Sequence, residues 1–556
     1  MKKSQYIALI LPMIILWSCA KQSTPTGGPR DETPPKVLAQ YPENQSLNVN
    51  PKEIWIEFDE YIKLDNPNKN IIITPRLNKD EVITTALKNK VTVELNQELE
   101  PNTTYVFNFQ KSIQDLSEGN PAEQLKIVFS TGPTIDSLVV TGRTNFLFPD
   151  RQTVYDDVLV GLYEANDTTD VFTAPPYYIA QVDSLGQFKL ENLRSGAYLA
   201  YAWLDANNSL KAEFKTEEFA FISDTLIIDP QSEKILHFNL AKADQTAFKL
   251  TRSSTTGSSY QLVFNKGLRE IEIIPDDKNQ QILHKVEKDR VKLYRESPTT
   301  DSLLIQVKAK DSIQQSLDTL IWAKFEASDR RKDELNVTVA SGKSFYQELK
   351  MELTFTKPVT QISFDSLFVS YDTASIFPIA PSMLYWRDSA KLDQLDILMN
   401  IPDSLSFNIF TLIASDSTFR DIEGEYNSKL IKANFRKLQR EGLADEIAGT
   451  IQTDHPSLIV QLLTAKDELV KELILENENA FSFTLIEPGT YKIKVIEDDN
   501  QNGEWDPGDF SLKRQAEKVY YFQDPETNEQ TIMIRGGWSI NTLQINSVPN
   551  TGILKN

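Results

Sequence analysis

Apolar residues alternate with polar ones in many short segments of this chain. Ile54, Ile56 and Phe58, for example, are separated by Trp55 and Glu57. A period of two places neighbouring side chains on opposite faces of a strand, so each segment predicts a half-buried β-strand. Pro, Asn and Gly lie between these segments, as is typical of turns that join strands. The sequence therefore predicts an all-β protein made of β-sandwiches.

The chain is too long to fold around one core. It has 556 residues, whereas a single hydrophobic core stops growing at roughly 250–300 residues. We predict a multi-domain string of sandwiches that follows an N-terminal leader. The ranges are a signal peptide at 1–19, a flexible tether at 20–35, five sandwiches at 36–133, 136–245, 246–326, 340–440 and 446–545, and a C-terminal tail at 546–556.

The first predicted sandwich carries phrases with a specific spacing. Phe58–Glu60 follows a strand, and Leu99–Tyr105 introduces the next one. Asp115–Asn120 then precedes a strand that ends in Phe129–Thr131. Together these phrases resemble the bacterial Ig-like domain known from surface-layer proteins and large adhesins. The resemblance implies an Ig-like sandwich over residues 36–133.

Two later regions carry weaker traces of the same domain. Tyr260–Asn265 resembles the strand that ends at Phe58, which suggests a degraded Ig-like sandwich over 246–326. Asp421–Gly424 echoes the phrase that begins at Asp115, which suggests another Ig-like sandwich over 340–440. Residues 428–446 have mixed helical spacing, so a short helix is also an option there.

A second kind of module occurs twice. Phe188–Tyr198 and Phe481–Tyr491 share the same spacing of Phe, Leu or Ile, Gly and Tyr. This phrase resembles the prealbumin-like or carboxypeptidase-regulatory-like module, in which it runs from one strand through a tight turn into the next. The resemblance implies prealbumin-like sandwiches over 136–245 and 446–545.

The N-terminus has the pattern of a secretory signal. Lys2 and Lys3 precede an apolar run, which ends in Leu16–Cys19. The run is shorter than the roughly 20 apolar residues that a helix needs to cross the bilayer. Its last four residues resemble a bacterial lipobox, which implies a lipid such as palmitate on Cys19. The alternatives are an ordinary signal peptide with a chance cysteine, or an atypical membrane anchor.

Charge and histidine content exclude several classes of function. The formal net charge of −21 argues against nucleic acid, which basic patches must neutralise. His237, His284 and His455 are the only histidines, and they fall in three different predicted domains. Ser-His-Asp chemistry needs a positioned base, and no G-x-S-x-G motif is present. We therefore expect no catalytic residues and no enzymatic activity.

Residues 498–509 have the ligand spacing of a twelve-residue calcium loop, with Gly503 at the sixth position. The loop resembles calcium loops of extracellular prealbumin-like and adhesin modules. A metal-free Asx-rich turn is the alternative. The related stretch Asp205–Lys211 has leucine where the glycine should be, so we expect no metal there. The expected calcium ligands are the side chains of Asp498, Asn500, Asn502, Asp506 and Asp509, and the carbonyl oxygen of Glu504.

Asp followed by Ser or Thr and an apolar residue recurs along the chain. The pattern resembles the O-glycosylation sequon of exported Bacteroidota proteins. Asp-Ser at the end of a turn, followed by the first residue of a strand, gives the same pattern without any sugar. The candidate acceptors are Ser137, Ser184, Thr225, Ser302, Thr319, Ser366, Thr373, Ser389 and Ser404.

The whole chain resembles the Ig-like-domain lipoproteins of the Bacteroidota outer membrane. The resemblance implies a non-catalytic protein, lipid-anchored through Cys19, on the cell surface rather than on the periplasmic face. We expect it to bind other outer-membrane proteins, for example as an accessory of an export or barrel-assembly machine. The alternative is a surface lipoprotein that binds glycans or nutrients through exposed aromatic residues. The candidates for that role are Trp203, Trp386, Trp505 and Trp538.

Overall fold

Strands dominate the structure, which is a computed structural model. Half of the chain is strand and 3% is helix, which confirms the predicted all-β, multi-domain fold. Among the described residues, no helix has the length and apolarity needed to cross a bilayer. Cys19, the signal peptide and most of the tether lie outside the described part. The described residues are 31–122, 125–149, 154–231, 233–277, 280–296, 301–326, 332–373 and 375–554.

The chain forms two compact units. The first contains the residues up to Leu138, together with Tyr177–Ile179 and Glu191–Arg194. The second contains the remainder of the chain.

The first unit contains the first sandwich. The alternation that predicted its strands is the burial pattern of the structure, since Ile54, Ile56 and Phe58 are fully buried while Glu57 is exposed. Its elements are β1 (Val37–Tyr41), β2 (Glu53–Phe58), β3 (Ile62–Leu64), helical turn α1 (Pro67–Asn70), β4 (Ile72–Thr74), a 3₁₀ turn (Lys79–Glu81), β5 (Val82–Leu87), β6 (Lys90–Leu95), β7 (Thr104–Asn108), β8 (Ile113–Asp115) and β9 (Lys126–Ser130).

Three sheets enclose the core of the first sandwich. Their strand orders are β1-β2-β6-β5, β4-β7-β9 and β3-β8. The core between them contains Phe107, Phe109 and Phe129, all fully buried. Each buried aromatic side chain contributes a large apolar area to such a core.

The second sandwich is built around the order β12-β11-β14-β15-β17-β10-β13, and β16 pairs with β14. Trp203, on β14, is fully buried in it. The strands are β10 (Leu138–Phe146), β11 (Val158–Glu164), β12 (Tyr178–Gln181), β13 (Gln187–Leu193), β14 (Gly196–Leu204), β15 (Glu218–Phe221), β16 (Leu226–Ile228) and β17 (Lys234–Lys242).

The third sandwich has two sheets, β18-β19-β22-β21 and β20-β23-β24. Leu262, Leu293 and Val307 are fully buried between them. The strands are β18 (Leu250–Thr256), β19 (Ser259–Phe264), β20 (Leu268–Pro275), β21 (Leu283–Glu287), β22 (Arg290–Tyr294), β23 (Leu303–Asp311) and β24 (Ser316–Ala323).

The fourth sandwich has the orders β25-β27-β32-β31, β26-β35-β33-β29-β30 and β28-β34. Its elements are β25 (Val337–Val339), β26 (Ser344–Phe345), β27 (Glu348–Phe355), β28 (Val359–Ile362), a 3₁₀ turn (Phe364–Ser366), β29 (Leu367–Ser370), β30 (Ile376–Pro378), a 3₁₀ turn (Pro381–Met383), β31 (Leu384–Trp386), β32 (Gln394–Asn400), β33 (Ile409–Ala414), β34 (Phe419–Asp421) and β35 (Ile431–Lys437).

The helix considered for residues 428–446 is wrong. Strand β35 occupies Ile431–Lys437, and a single 3₁₀ turn follows at Arg440–Gly442. Ala433 and Phe435 are buried while Lys432 and Asn434 are exposed. β35 pairs with β33 along its length. The two-residue period of this segment therefore decides its structure, and the apolar residues on either side of it do not.

The fifth sandwich has the orders β39-β36-β43 and β38-β37-β40-β41, and β42 pairs with β40. Its strands are β36 (Ala444–Gln452), β37 (Ser457–Thr464), β38 (Leu469–Glu476), β39 (Ala480–Ile486), β40 (Gly489–Glu497), β41 (Val519–Tyr521), β42 (Ile532–Ile534) and β43 (Ser539–Asn546), and they are followed by a final strand outside the sandwich, β44 (Gly552–Leu554). The last of these lies in the predicted tail and pairs with β17 of the second sandwich.

Gly142 and Gly449 hold the same place in the second and fifth sandwiches. Each lies on a strand that pairs in parallel with a later strand of its own sandwich, β10 with β17 and β36 with β43. A Cβ atom at Gly142 would lie 2.1 Å from the carbonyl oxygen of Leu236, and one at Gly449 would lie 2.3 Å from that of Leu543. Only glycine allows this approach. The repeat read from the sequence is therefore also a repeat of backbone geometry.

Candidate functional site

The candidate calcium loop connects β40 to β41 in the fifth sandwich. Asp498 begins it and is 1% exposed. Its two carboxylate oxygens accept the backbone N–H groups of Asn502, at 3.2 Å, and Gly503, at 2.9 Å. Gly503 has a φ of 77°, a conformation that glycine adopts without steric cost. Asp498 thus closes the turn that the glycine makes.

Asp506, which is 2% exposed, lies at the centre of the loop. The side-chain amides of Asn500 and Asn502 both donate to its Oδ2, the second at 2.9 Å. The amide oxygens of the same two asparagines accept the backbone N–H groups of Asn502, at 3.1 Å, and Glu504, at 2.8 Å. These oxygens therefore already have hydrogen-bond partners within the loop.

Asp509 closes the loop. Its Oδ1 accepts the Ser511 hydroxyl at 2.6 Å and the Leu512 N–H at 3.1 Å. Among the described residues, no three His, Cys, Asp or Glu side chains converge to hold a metal ion. All six predicted ligands lie in this one loop. Hydrogen bonds within it hold the side chains of Asp498, Asn500, Asn502, Asp506 and Asp509. Calcium at this loop stays a prediction.

Two residues of the third sandwich contact the loop. The guanidinium of Arg269 donates to Asp506 and lies 3.0 Å from the carboxylate of Glu504. The side-chain amide of Gln314 donates to Asp506 at 3.1 Å. In return, Arg514 donates to the carbonyl oxygen of Ile313 at 2.9 Å. The loop therefore joins the fifth sandwich to the third.

The same segment also contacts the second sandwich. The ring of Phe510 packs edge-on against Phe172 and Phe221, with centroid distances of 4.9 and 5.4 Å. The side-chain amide of Gln515 donates to the carbonyl oxygen of Phe221 at 2.7 Å. The second, third and fifth sandwiches thus meet at the segment that contains this loop.

A buried carboxylate that was not predicted from the sequence supports the loop. Glu517 is 3% exposed and accepts the backbone N–H groups of Asp499, at 2.9 Å, and Asp506, at 2.8 Å. Burial, together with the neighbouring Asp498 and Asp499, raises the pKa of Glu517 from its ordinary value of 4.5 to about 7. The residue therefore ties the start of the loop to its centre.

The second sandwich contains the same arrangement. Asp205 accepts the N–H groups of Ser209, at 2.9 Å, and Leu210, at 3.0 Å. Glu217 accepts those of Ala206 and Glu213, both at 3.0 Å. A comparison of the two modules could have found this shared buried glutamate, Glu217 in the second sandwich and Glu517 in the fifth. Leu210 adopts a φ of 59°, so the turn forms even without glycine.

Glu517 makes the loop sensitive to pH. Because its pKa is raised in the folded state, the fold keeps a proton that the unfolded chain loses between about pH 4.5 and 7. The local free energy of unfolding is therefore expected to fall as the pH rises through this window. Hydrogen exchange of the loop amides, corrected for intrinsic rates, measures this. Glu517→Gln should remove the dependence, whereas Glu504→Gln, at an exposed carboxylate, should keep it.

The three histidines lie on separate elements. His237 is on β17 and is bonded to Asn145 and Asn239. His284 is on β21, where burial lowers its pKa to about 4. His455 precedes β37 and lies 3.0 Å from Asp499, beside the candidate loop. The structure brings no two of them together into a shared site among the described residues.

The tryptophans proposed for glycan binding differ in exposure. Trp203 is fully buried, so its assignment to an exposed binding face is wrong; β14 is an interior strand of its sheet, and this position faces the core. Trp386 and Trp505 are half-buried, and Trp538 is 51% exposed. The most exposed tryptophan of those described, Trp322 at 65%, was not among the candidates.

All nine candidate glycosylation acceptors have solvent-accessible side chains. Thr319, on β24, and Ser366, at the end of a 3₁₀ turn, are half-buried. Ser137 and Ser302 directly precede β10 and β23, which is the position that the sugar-free interpretation of the pattern requires. Glycosylation therefore stays a prediction. The exposed acceptors are Ser137, Ser184, Thr225, Ser302, Thr373, Ser389 and Ser404.

Comparison with known proteins identifies one domain. Residues 31–131 match the family of bacterial Ig-like domains, which confirms the resemblance found in the first sandwich. The match starts at residue 31 rather than 36. No curated protein matches the chain.

The chain is also similar to large solved structures at low identity. The Bacillus anthracis TIE protein is 9% identical, with 97% of this chain and 78% of that chain covered and a TM-score of 0.13. Domains 1–6 of surface layer protein SbsC are 11% identical, with 84% and 66% covered and a TM-score of 0.14. The BSP domain of a biofilm-associated protein is 9% identical, with 87% and 97% covered and a TM-score of 0.14. At such scores we draw no conclusion from these similarities about arrangement or role.

Proposed function

We propose that this protein is a non-catalytic, lipid-anchored scaffold of the bacterial outer membrane that binds other membrane proteins at the cell surface. The observation that carries the proposal is the role of the candidate loop. The loop and the residues that directly follow it hold the fifth sandwich to the third, through Arg269 and Gln314, and to the second, through Phe510. The bacterial Ig-like domain in the first unit supports the same conclusion.

A buried contact also joins the third sandwich to the fourth. The ammonium group of Lys285 lies 2.9 Å from the carboxylate of Asp393 and donates to the carbonyl oxygen of Phe355 at 2.7 Å. Lys285 and Asp393 are 9% and 6% exposed. Replacing one member of such a buried pair strands the other charge, so contacts of this kind fix the position of one domain on the next. A protein that presents fixed surfaces needs these contacts.

Strand β24 provides a surface for a partner. It is an edge strand, and among the described residues no strand other than β23 pairs with it. Ile321 faces the core, whereas Leu320 and Trp322 are 63% and 65% exposed. A long edge strand with exposed apolar residues is a template for an added strand. We assign this edge to a membrane protein that contributes an extended segment.

Affinity purification of the tagged, lipidated protein from its native membranes tests the proposal. We expect stoichiometric recovery of at least one membrane protein, and its loss in Trp322→Ser. Trp538→Ser removes another exposed tryptophan and should leave recovery unchanged. Cys19→Ser should release the protein from the membrane fraction. Recovery of the lipidated chain alone, or its binding to a glycan panel instead, would contradict the scaffold function.

A further inference from the structure

The first, third and fourth sandwiches share one buried turn. An aspartate begins it in each of them: Asp115, Asp311 and Asp421 are 1%, 0% and 1% exposed. In each sandwich its carboxylate accepts backbone N–H groups of the residues that follow. The donors are Glu118, Gly119 and Asn120 to Asp115, Ile313 and Gln315 to Asp311, and Glu423 and Glu425 to Asp421.

Two of these carboxylates are each neutralised by a buried lysine of their own sandwich. The ammonium of Lys266 lies 2.5 Å from Asp311, and that of Lys357 lies 2.6 Å from Asp421. Lys266 also donates to the carbonyl oxygens of Asp244, at 3.0 Å, and Thr246, at 2.6 Å. In the third sandwich, the carboxylate of the turn and two carbonyl oxygens therefore surround the lysine ammonium.

The first sandwich has a glutamate where the lysine should be. In the third sandwich, the N–H of Lys249 donates to the side chain of Asn265 at 2.8 Å. In the first, the N–H of Lys36 donates to Asp59, also at 2.8 Å. The residue after Asn265 is the neutralising lysine, and the residue after Asp59 is Glu60. The two domains align here without a gap, so the cation of one is replaced by an anion in the other.

The oxygens around this position have counterparts in the first sandwich. Thr246 N–H donates to the side chain of Asp244 at 3.0 Å, and Thr33 N–H donates to that of Asp31 at 3.0 Å. The carbonyl groups that hold the lysine therefore correspond to those of Asp31 and Thr33. The carbonyl oxygen of Asp31 lies beside the turn, because Asn120 donates to it at 2.9 Å.

Two carboxylates thus lie near this position, where the first sandwich has no counterpart of the buried lysine. The ammonium of Lys63 is engaged instead with the carbonyl oxygen of Leu116, at 3.5 Å. Burial, and then the charges of Asp115, Asp59 and Asp31, raise the pKa of Glu60. Within the described part of the chain, no hydrogen bond or ion pair engages the Glu60 side chain. Two like charges in a partly buried position need a counter-charge. The lysines of the sister domains show that this position can hold one.

We propose that a calcium ion binds between Glu60 and Asp115, in the position that a lysine ammonium takes in the third and fourth sandwiches. The carbonyl oxygens of Asp31 and Thr33 complete the protein ligands. Calcium accepts six to eight oxygens in irregular geometry, including carboxylates, carbonyls and water, whereas magnesium requires a near-ideal octahedron. The site is independent of the loop at 498–509, because it uses side chains of the first unit only.

Glu60→Lys tests this site by installing the residue of the sister domains. We measure hydrogen exchange of the full chain with and without 10 mM calcium, a concentration above the ~10⁻⁴–10⁻³ M affinity range of extracellular modules. In the unmodified protein, calcium should slow exchange at least tenfold in residues 113–120. In Glu60→Lys the same residues should be protected without calcium and should not respond to it. Glu57→Lys, an equal charge change at an exposed position on β2, should respond as the unmodified protein does.

The location of the response separates this site from the other candidate loop. The proposal would be overturned if calcium left the exchange rates of residues 113–120 unchanged in the unmodified protein. It would also be overturned if calcium slowed exchange in Glu60→Lys as much as in the unmodified protein. If Glu60→Lys fails to fold the first sandwich, Glu60→Gln decides. It keeps the size of the side chain but removes its charge, so the calcium concentration for half-maximal protection should rise at least tenfold. An unchanged concentration would overturn the site.

Discussion

Replacing Lys357 by alanine is expected to destabilise the fourth sandwich by about 3–5 kcal/mol, because it leaves buried carboxylates without a cation. The ammonium lies 2.6 Å from Asp421 and 2.9 Å from Glu423, and the lysine side chain is 3% exposed. Burial disfavours the charged lysine, but its hydrogen bonds to both carboxylates raise its pKa above the ordinary value. The lysine therefore remains charged at neutral pH.

Hydrogen exchange of the buried strands β27 and β33 is the appropriate measurement, since a multi-domain chain does not unfold in one two-state step. Lys350→Ala is the matched control on β27. Lys350 lies 3.1 Å from Asp396 with its side chain 47% exposed, and an exposed pair contributes about 0–1 kcal/mol. Equal losses in the two variants would contradict the importance of the buried pair.

Replacing Phe510 by alanine is expected to weaken the contact between the fifth sandwich and the second. The ring packs on Phe172 at 4.9 Å, Phe221 at 5.4 Å and Tyr201 at 6.1 Å. Because Phe510 is half-buried, the loss should lie near the lower end of the 3–5 kcal/mol typical of Phe→Ala in a core. The contact is between domains, so each sandwich should remain folded.

Exchange at β15, which carries Phe219 and Phe221, and proteolysis within the candidate loop both report this change. We expect faster exchange at β15 and faster cleavage of the loop. Leu512→Ala is the control from the same segment, because Leu512 is 70% exposed. If both variants behave alike, the aromatic contact does not hold the domains together.

Both variants address side chains that join distant parts of the chain. Lys357 pairs with a turn that lies more than sixty residues later, Asp421–Glu423, and Phe510 reaches a sandwich that ends near residue 245. If both expected losses are observed, the buried ion pair stabilises the fourth sandwich from within, and the aromatic contact holds the fifth sandwich on the second in addition to the covalent chain. A scaffold that binds partners at fixed positions requires this rigidity.

Local patterns predicted the strands well because they depend on nearby residues. The alternation at Ile54–Phe58 is the burial pattern of β2. The repeat of Gly142 at Gly449 marks two close approaches of parallel strands. The acidic loop was found from its spacing, and its Asx turns form as that spacing requires. In contrast, residues 428–446 were ambiguous, since a short segment carries too few residues to separate the two periods.

The sequence by itself determined that the chain is all-β, where its modules repeat and which loop concentrates oxygen-bearing side chains. Only the tertiary structure decided what those side chains contact. Arg269 and Asp506, which are in contact, are 237 residues apart in the sequence. Glu60 became a candidate ligand only when the structure showed buried lysines in the corresponding place in the third and fourth sandwiches. Periodicity follows from the backbone geometry of a single strand, whereas partners depend on how separate sheets pack, and no local pattern records that packing.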